Sequence, residues 1–150
     1  MTAPSPTSSS FSSDGEDAGR DLYATEVVAV GALVEEFLQA GVLVLFGEQA
    51  PAELHEFSVL HRPSVADEGP AVGDIIVIDG TELPILAVGD VVAGNLLELG
   101  HLDLKADGNT EPAMPGDLCV PKGSLPAVAV GQTIRIVRPV KPVGSTQKGT

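Results

Sequence analysis

Four side chains in this chain carry the groups that small domains use for nucleophilic, acid–base or metal chemistry: His55, His61, His101 and the single Cys119. His55 lies in the polar stretch "AELHEF" and reads as a solvent-facing loop residue. His61 closes the β-like run "FSVLH" and is followed at once by "RPSVADEG". By residue type and position it is a strand-boundary residue. The alternative is a nucleophile held at the rim of a rigid scaffold, because a neutral imidazole with a pKa of ~6.5 is competent near neutral pH. His101 follows Gly100 and falls on the polar face of "HLDLK", as a surface residue or as the partner of another side chain. Arg62, next to His61, reads either as a solvated residue beside a loop or as a cation able to steady an anion, and Asp103 and Glu98 are candidates to orient an imidazole N–H. Cys119, in "DLCVPK", reads as a small buried apolar residue.

A structural zinc site needs four converging ligands. The spacing of the three histidines and the cysteine fits no such pattern, so no metal is expected. The chain contains no P-loop, Rossmann glycine fingerprint, CxxC, GxSxG or HExxH. No cofactor is expected either.

The elements that must position these groups are short strands. "ATEVVAVG" (24–31) and "VLVLF" (42–46) read as strands flanking a short amphipathic helix, "ALVEEFLQAG" (32–41). In that helix Leu33, Val34, Phe37 and Leu38 share one face and Gly41 closes the C-terminus. "GEQAPAELHE" (47–56) reads as a loop holding one helical turn opened by Pro51. Asp79–Gly80 between two β-branched runs predicts a hairpin, and Pro84 puts its second strand at an edge or a bulge. "AGNLLELGH" (93–101) reads as a short helical turn capped by Asn95 and ended by Gly100. "HLDLK" alternates, and "MPGDLCVP" and "VGQTIRIVRP" repeat the pattern of a Gly turn, a polar residue and a short strand.

The chain has 150 residues and is 43% hydrophobic but only 3% aromatic, with 17 Gly and 12 Pro. That composition gives an aliphatic, turn-rich core: a mostly β fold, a small barrel or sandwich with one or two short helices. Residues 1–20 are Ser-, Pro- and acid-rich and read as a disordered tail. Residues 21–140 form the β domain and 141–150 a flexible C-terminus. The formal net charge of −13 would repel a phosphate backbone or an anionic membrane surface, which excludes nucleic acid as a partner. The apolar stretch 27–46 carries Glu35, Glu36 and Gln39 at its middle and is rejected as a membrane span. A lone Cys and no signal-peptide pattern leave the cytoplasm as the expected compartment. Lys122, Arg135, Arg138, Lys141 and Lys148 follow the last acidic residue, Asp117. They read as a solubilising, charged edge strand rather than a docking site.

The runs "GEQAPAELHEFSVLHRPS", "AVGDVVAGNLLELGHLDLKADG" and "MPGDLCV" together resemble the glucitol/sorbitol-specific enzyme IIA component of the bacterial phosphotransferase system. The likeness covers about Glu26 to about Arg138, and the serine-rich tail lies outside it. It implies a small β-barrel domain and a cytoplasmic phosphocarrier acting through a phosphohistidine, with His61 as the phosphorylated nucleophile. It implies HPr as the donor, a cysteine of a sugar-specific IIB domain as the acceptor, and no direct membrane insertion. The family pattern has a second histidine two residues after the first. Here that position is Pro63, which leaves His101 and Arg62 as the supporting candidates. The alternative is a non-catalytic regulatory or binding module of the same fold, for which the missing histidine and the added tail are the best support. HPr-like donors present positive charge, so an acidic acceptor would gain by steering. Edge strands leave pairing into a homodimer open. The carrier reading requires the His61 ring to be open to solvent.

Overall fold

A computed structural model describes residues 19–140. Nine strands, two short α-helices and one 3-10 helix make up the described residues. The strands are β1 (Arg20–Val30), β2 (Val42–Gly47), β3 (Val59–Ala66), β4 (Ile75–Ile78), β5 (Thr81–Pro84), β6 (Ala87–Val88), β7 (Leu102–Lys105), β8 (Asp117–Cys119) and β9 (Thr133–Arg138). Helices α1 (Val34–Gln39) and α2 (Val92–Leu99) and the 3-10 helix Ala52–Phe57 sit in the connections. All nine strands join one sheet in the order β5-β4-β9-β1-β3-β2-β7-β8-β6, curled into a half-barrel. The mostly β fold with short helices expected from composition is what forms. The expected N-terminal tail, apart from Gly19 and Arg20, and the C-terminal segment 141–150 lie outside the described residues.

The core is aliphatic. Leu22, Leu43, Leu45, Val59, Ile76, Ile78, Leu104, Leu118, Ile134 and Ile136 are all buried and join one cluster. Val and Ile predominate in β4 and β9, where branching at Cβ suits a pleated, two-sided surface. The β4–β5 hairpin turns at Asp79 (φ 48°) and Gly80 (φ 89°), the two left-handed positions that an Asp-Gly turn supplies. Its second strand is an outer strand of the sheet, where Pro84 costs no ladder bond.

Three expectations are corrected. The run ending at His61 does not end there: β3 continues to Ala66, because it pairs antiparallel with β1 as far as Tyr23↔Ala66. Pro63 is accommodated where that register shifts, between Ala24 and Thr25. Helix α2 begins at Val92, so Asn95 is interior rather than a cap. The reason is that Val92 and Leu96, four residues apart, both bury against the core. The basic C-terminal strand is not an edge: β9 lies between β4 and β1. Arg135 bonds Asp21, and Arg138 bonds Asp74 and Glu68. Lys141 and Lys148 lie outside the described residues.

Most neighbours are antiparallel, but β2–β3 and β7–β8 are parallel. A parallel pair needs a crossover connection rather than a tight turn. The β2–β3 crossover, residues 48–58, carries the 3-10 helix, and it builds one rim of the site described next.

Candidate functional site

The site begins with the register of β1 against β3. Val27 lies opposite His61 and Thr25 opposite Pro63, so Thr25 is the diagonal neighbour of His61 on the same face. Thr25 Oγ1 and His61 Nδ1 are 2.6 Å apart, and both residues are buried. On the other side of the ring, Nε2 lies 2.7 Å from the carbonyl oxygen of Gly100. A carbonyl only accepts, so Nε2 must hold the ring proton and donate it. Nδ1 then accepts from the Thr25 hydroxyl. The tautomer is fixed by its two partners.

Gly100 reaches this position because it ends α2. Its φ of 68° is left-handed, and a Cβ there would stand 2.7 Å from Gly47 N and 3.1 Å from His61 Nε2. Only glycine fits at both counts. The helix end thereby lies directly on the imidazole.

His61 is therefore fully buried. The sequence places this ring at an exposed strand end. The structure puts it inside the sheet, because β3 runs on and the α2–β7 turn covers it. Burial pushes its pKa below the ordinary histidine value, and the Gly100 carbonyl offsets part of that. Tyr23 meets the ring edge-on at 6.2 Å between centroids, and burial pushes the phenol up to about 12.

A cavity of about 570 Å³ adjoins the covered ring. The end of α2 from Leu96 to Gly100 forms one wall, the crossover from Gly47 to Pro51 another, and Tyr23, His61 and Arg62 contribute from the strands. Gly100, whose carbonyl oxygen lies 2.7 Å from Nε2, lines it as well.

The other sequence candidates take distinct places. Arg62 is exposed at the cavity rim, and its guanidinium makes two bonds to Glu48, 2.8 and 2.9 Å long. That pairing holds the Glu48 carboxyl below the usual carboxylate range. His101 is half-buried and stacks on Phe46 with centroids 4.2 Å apart. It hydrogen-bonds Asp103 Oδ1 at 3.1 Å and not His61. Of the two carboxylates suggested for orienting an imidazole, Asp103 does so, for His101. His55 is not free in a loop: its Nε2 bonds the Ala50 carbonyl at 2.7 Å and braces the crossover. Cys119 is buried and unpaired, as read from its neighbours, and burial pushes its thiol up to about 11. Among the described residues no group of three or more His, Cys, Asp or Glu could hold a metal ion.

Sequence reasoning missed Thr25. Its signal is parity: it shares a strand face with Tyr23 and Val27, a hydroxyl on an otherwise apolar stripe. A buried polar side chain needs a partner, and that question leads to His61.

The family model for the glucitol/sorbitol-specific IIA component of the phosphotransferase system matches residues 22–135. The glucitol/sorbitol-specific EIIA components of Shigella flexneri and of Escherichia coli (strain K12) are each 32% identical to this chain over 115 residues. Each alignment covers 76% of this chain and 93% of the relative. The crystal structure of a phosphotransferase-system IIA component from Enterococcus faecalis V583 has the same fold, with a TM-score of 0.64 and 23% identity. It covers 76% of this chain and 98% of that one. The half-barrel sheet and the profile match over nearly all of its described residues lead to one conclusion: the chain belongs to the glucitol/sorbitol-specific IIA family of the phosphotransferase system.

Proposed function

We propose that this protein is a cytoplasmic phosphocarrier for a sugar uptake system of the glucitol/sorbitol type. His61 accepts a phosphoryl group from HPr and passes it to a cysteine of a IIB domain. The observation that carries the reading is the place of His61 in a family member: the histidine that follows the "APA" crossover, on a stiff strand, among the residues that line a cavity.

The chemistry asks the protein chiefly for positioning and electrostatic stabilisation. In the forward step a lone pair of the neutral His61 ring attacks phosphorus, and a P–N bond forms. The P–N bond to the donor's imidazole breaks, and its electron pair returns to that ring. In the onward step a thiolate attacks, a P–S bond forms, and the electron pair of the His61 P–N bond goes back to His61. Arg62, freed from Glu48, supplies a guanidinium at the rim for the phosphoryl oxygens. His101, held by Asp103 and stacked on Phe46, anchors the turn that follows Gly100. The acidic body, with a net charge of −13, favours encounter with a positively charged donor, by roughly ten-fold or more at low salt.

One observation favours a second reading, a binding module of the same fold that carries no phosphate: the resting His61 ring is fully buried with both nitrogens bonded. The open ring expected of a carrier from the sequence is not found in this resting arrangement, so the carrier reading stands only if the α2–β7 turn lifts and uncovers it. Incubation with phosphoenolpyruvate, enzyme I and HPr, followed by intact mass measurement, decides between them. The carrier gains one acid-labile phosphoryl group, and His61→Gln, checked for a native circular dichroism spectrum, gains none. A wild-type protein that stays unlabelled while a control acceptor is labelled contradicts the carrier reading.

A further inference from the structure

We infer that Thr25 is the positioning residue of His61, a hydroxyl that reverses its hydrogen bond so that Nε2, facing the cavity, can become the nucleophile. The inference rests on the phosphocarrier reading and assigns a role to a residue outside its site.

In the resting arrangement the ring proton is on Nε2, under the Gly100 carbonyl at 2.7 Å. The lone pair is on Nδ1, which points at Thr25 Oγ1 across the buried face of the β1–β3 pair. No phosphoryl donor reaches a buried nitrogen covered by the Thr25 hydroxyl. The residues that line the cavity include Gly100, the partner of Nε2, and not Thr25, the partner of Nδ1. Attack therefore needs the opposite tautomer, with the proton on Nδ1 and the lone pair on Nε2.

Two changes produce it. The Gly100 carbonyl leaves Nε2 as the α2–β7 turn lifts, since a carbonyl 2.7 Å from a lone pair would be repulsive. With the turn lifted, water takes the Nε2 proton, and the Thr25 hydroxyl passes its own proton to Nδ1 while taking one from the hydronium so formed through the admitted water, so ring and hydroxyl both stay neutral. Nδ1–H then needs an acceptor in a dry environment. Thr25 can supply one, because a hydroxyl both donates and accepts. A carbonyl or an amide N–H in its place would serve only one of the two states. After transfer the phosphorylated ring keeps Nδ1–H on Thr25 Oγ1, and the P–N bond is on Nε2. The ring does not rotate, so the phosphoryl group stays aimed at the cavity.

The test has two arms. Ring-nitrogen NMR of the unlabelled wild type at neutral pH is expected to show Nε2 protonated and Nδ1 unprotonated but hydrogen-bonded. In Thr25→Val the Nδ1 resonance should move toward that of an unbonded ring nitrogen. Finding the resting proton on Nδ1 overturns the inference. In the second arm, phosphorylation by HPr is timed. Thr25→Val, close to the native shape, should label about ten-fold more slowly, the factor expected when one buried hydrogen bond is lost. Thr25→Ser should recover most of the rate. A Thr25→Val protein that labels at the wild-type rate also overturns it. A wild type that takes no label at all removes the phosphocarrier reading instead, and the NMR arm still decides the resting tautomer.

Discussion

Replacing Gly100 with alanine tests whether the end of α2 rests on the imidazole. The residue has φ of 68°, a conformation that costs an L side chain roughly 1–2 kcal/mol. Its Cβ would stand 2.7 Å from Gly47 N and 2.9 Å from Gly47 Cα. Both are backbone atoms and cannot swing aside, so the helix end must shift, at a further cost of roughly 1–2 kcal/mol. The sum is about 2–4 kcal/mol. For a domain of this size that corresponds to a fall in Tm on the order of 10 °C. The displaced turn also takes the Gly100 carbonyl off Nε2 and admits water to the ring. Burial is the larger cause of the depressed His61 pKa, so the titration of His61 should move back up toward the ordinary histidine value. Urea denaturation supplies the stability change, and ring-proton NMR against pH supplies the titration. A variant within about 0.5 kcal/mol of wild type, with His61 titrating unchanged, refutes the packing argument.

Other consequences follow from the same geometry. Because the folded pKa of His61 lies below its unfolded value, the unfolded chain binds the extra proton. The stability His61 contributes is full above about pH 6.5 and is lost as pH falls toward the folded value. Urea midpoints measured from neutral pH down to about pH 5.5 should fall, and His61→Gln should flatten that slope. Glu48 and Glu68, whose pKa values are lowered by their arginine partners, stay charged over that window and add little to the slope. Arg138→Met leaves the buried Asp74 carboxylate with the Ala71 N–H alone of the three bonds it now accepts. It should cost about 2–3 kcal/mol in denaturant titrations. Adding Asp74→Asn to that variant should restore part of the loss, and a purely additive double variant would contradict the pairing. Cys119, buried with its thiol pushed up to about 11, should resist alkylation in the folded protein and react fully in denaturant.

How much of this was legible in the sequence differs between local and long-range features. The Asp79–Gly80 turn, Pro84 on an outer strand, the Pro51-initiated helical turn and the Gly100 helix end all rest on residues that dictate their own backbone, and each forms as read. What failed depended on pairing partners. The "RPSVA" segment looks like a turn because of its proline, yet β1 is long enough to hold it as a strand. The arginines of β9 look like edge protection until β4 and β1 are placed on either side with Asp21, Glu68 and Asp74 in reach. The site shows the same division. His61 was visible as a candidate. Its burial, its fixed tautomer and its link to Thr25 came from a contact spanning 36 residues and another spanning 39, for which local pattern carries no signal.

The central claim is that the phosphoryl group of this protein rides on His61. The direct test is to label the protein through HPr, digest it at alkaline pH where phosphohistidine survives, and locate the group by peptide sequencing in a mass spectrometer. The account predicts a single modified peptide, bearing the group on His61, with His55 and His101 unmodified. A phosphoryl group found on His101, the half-buried ring held by Asp103 and Phe46, would contradict it.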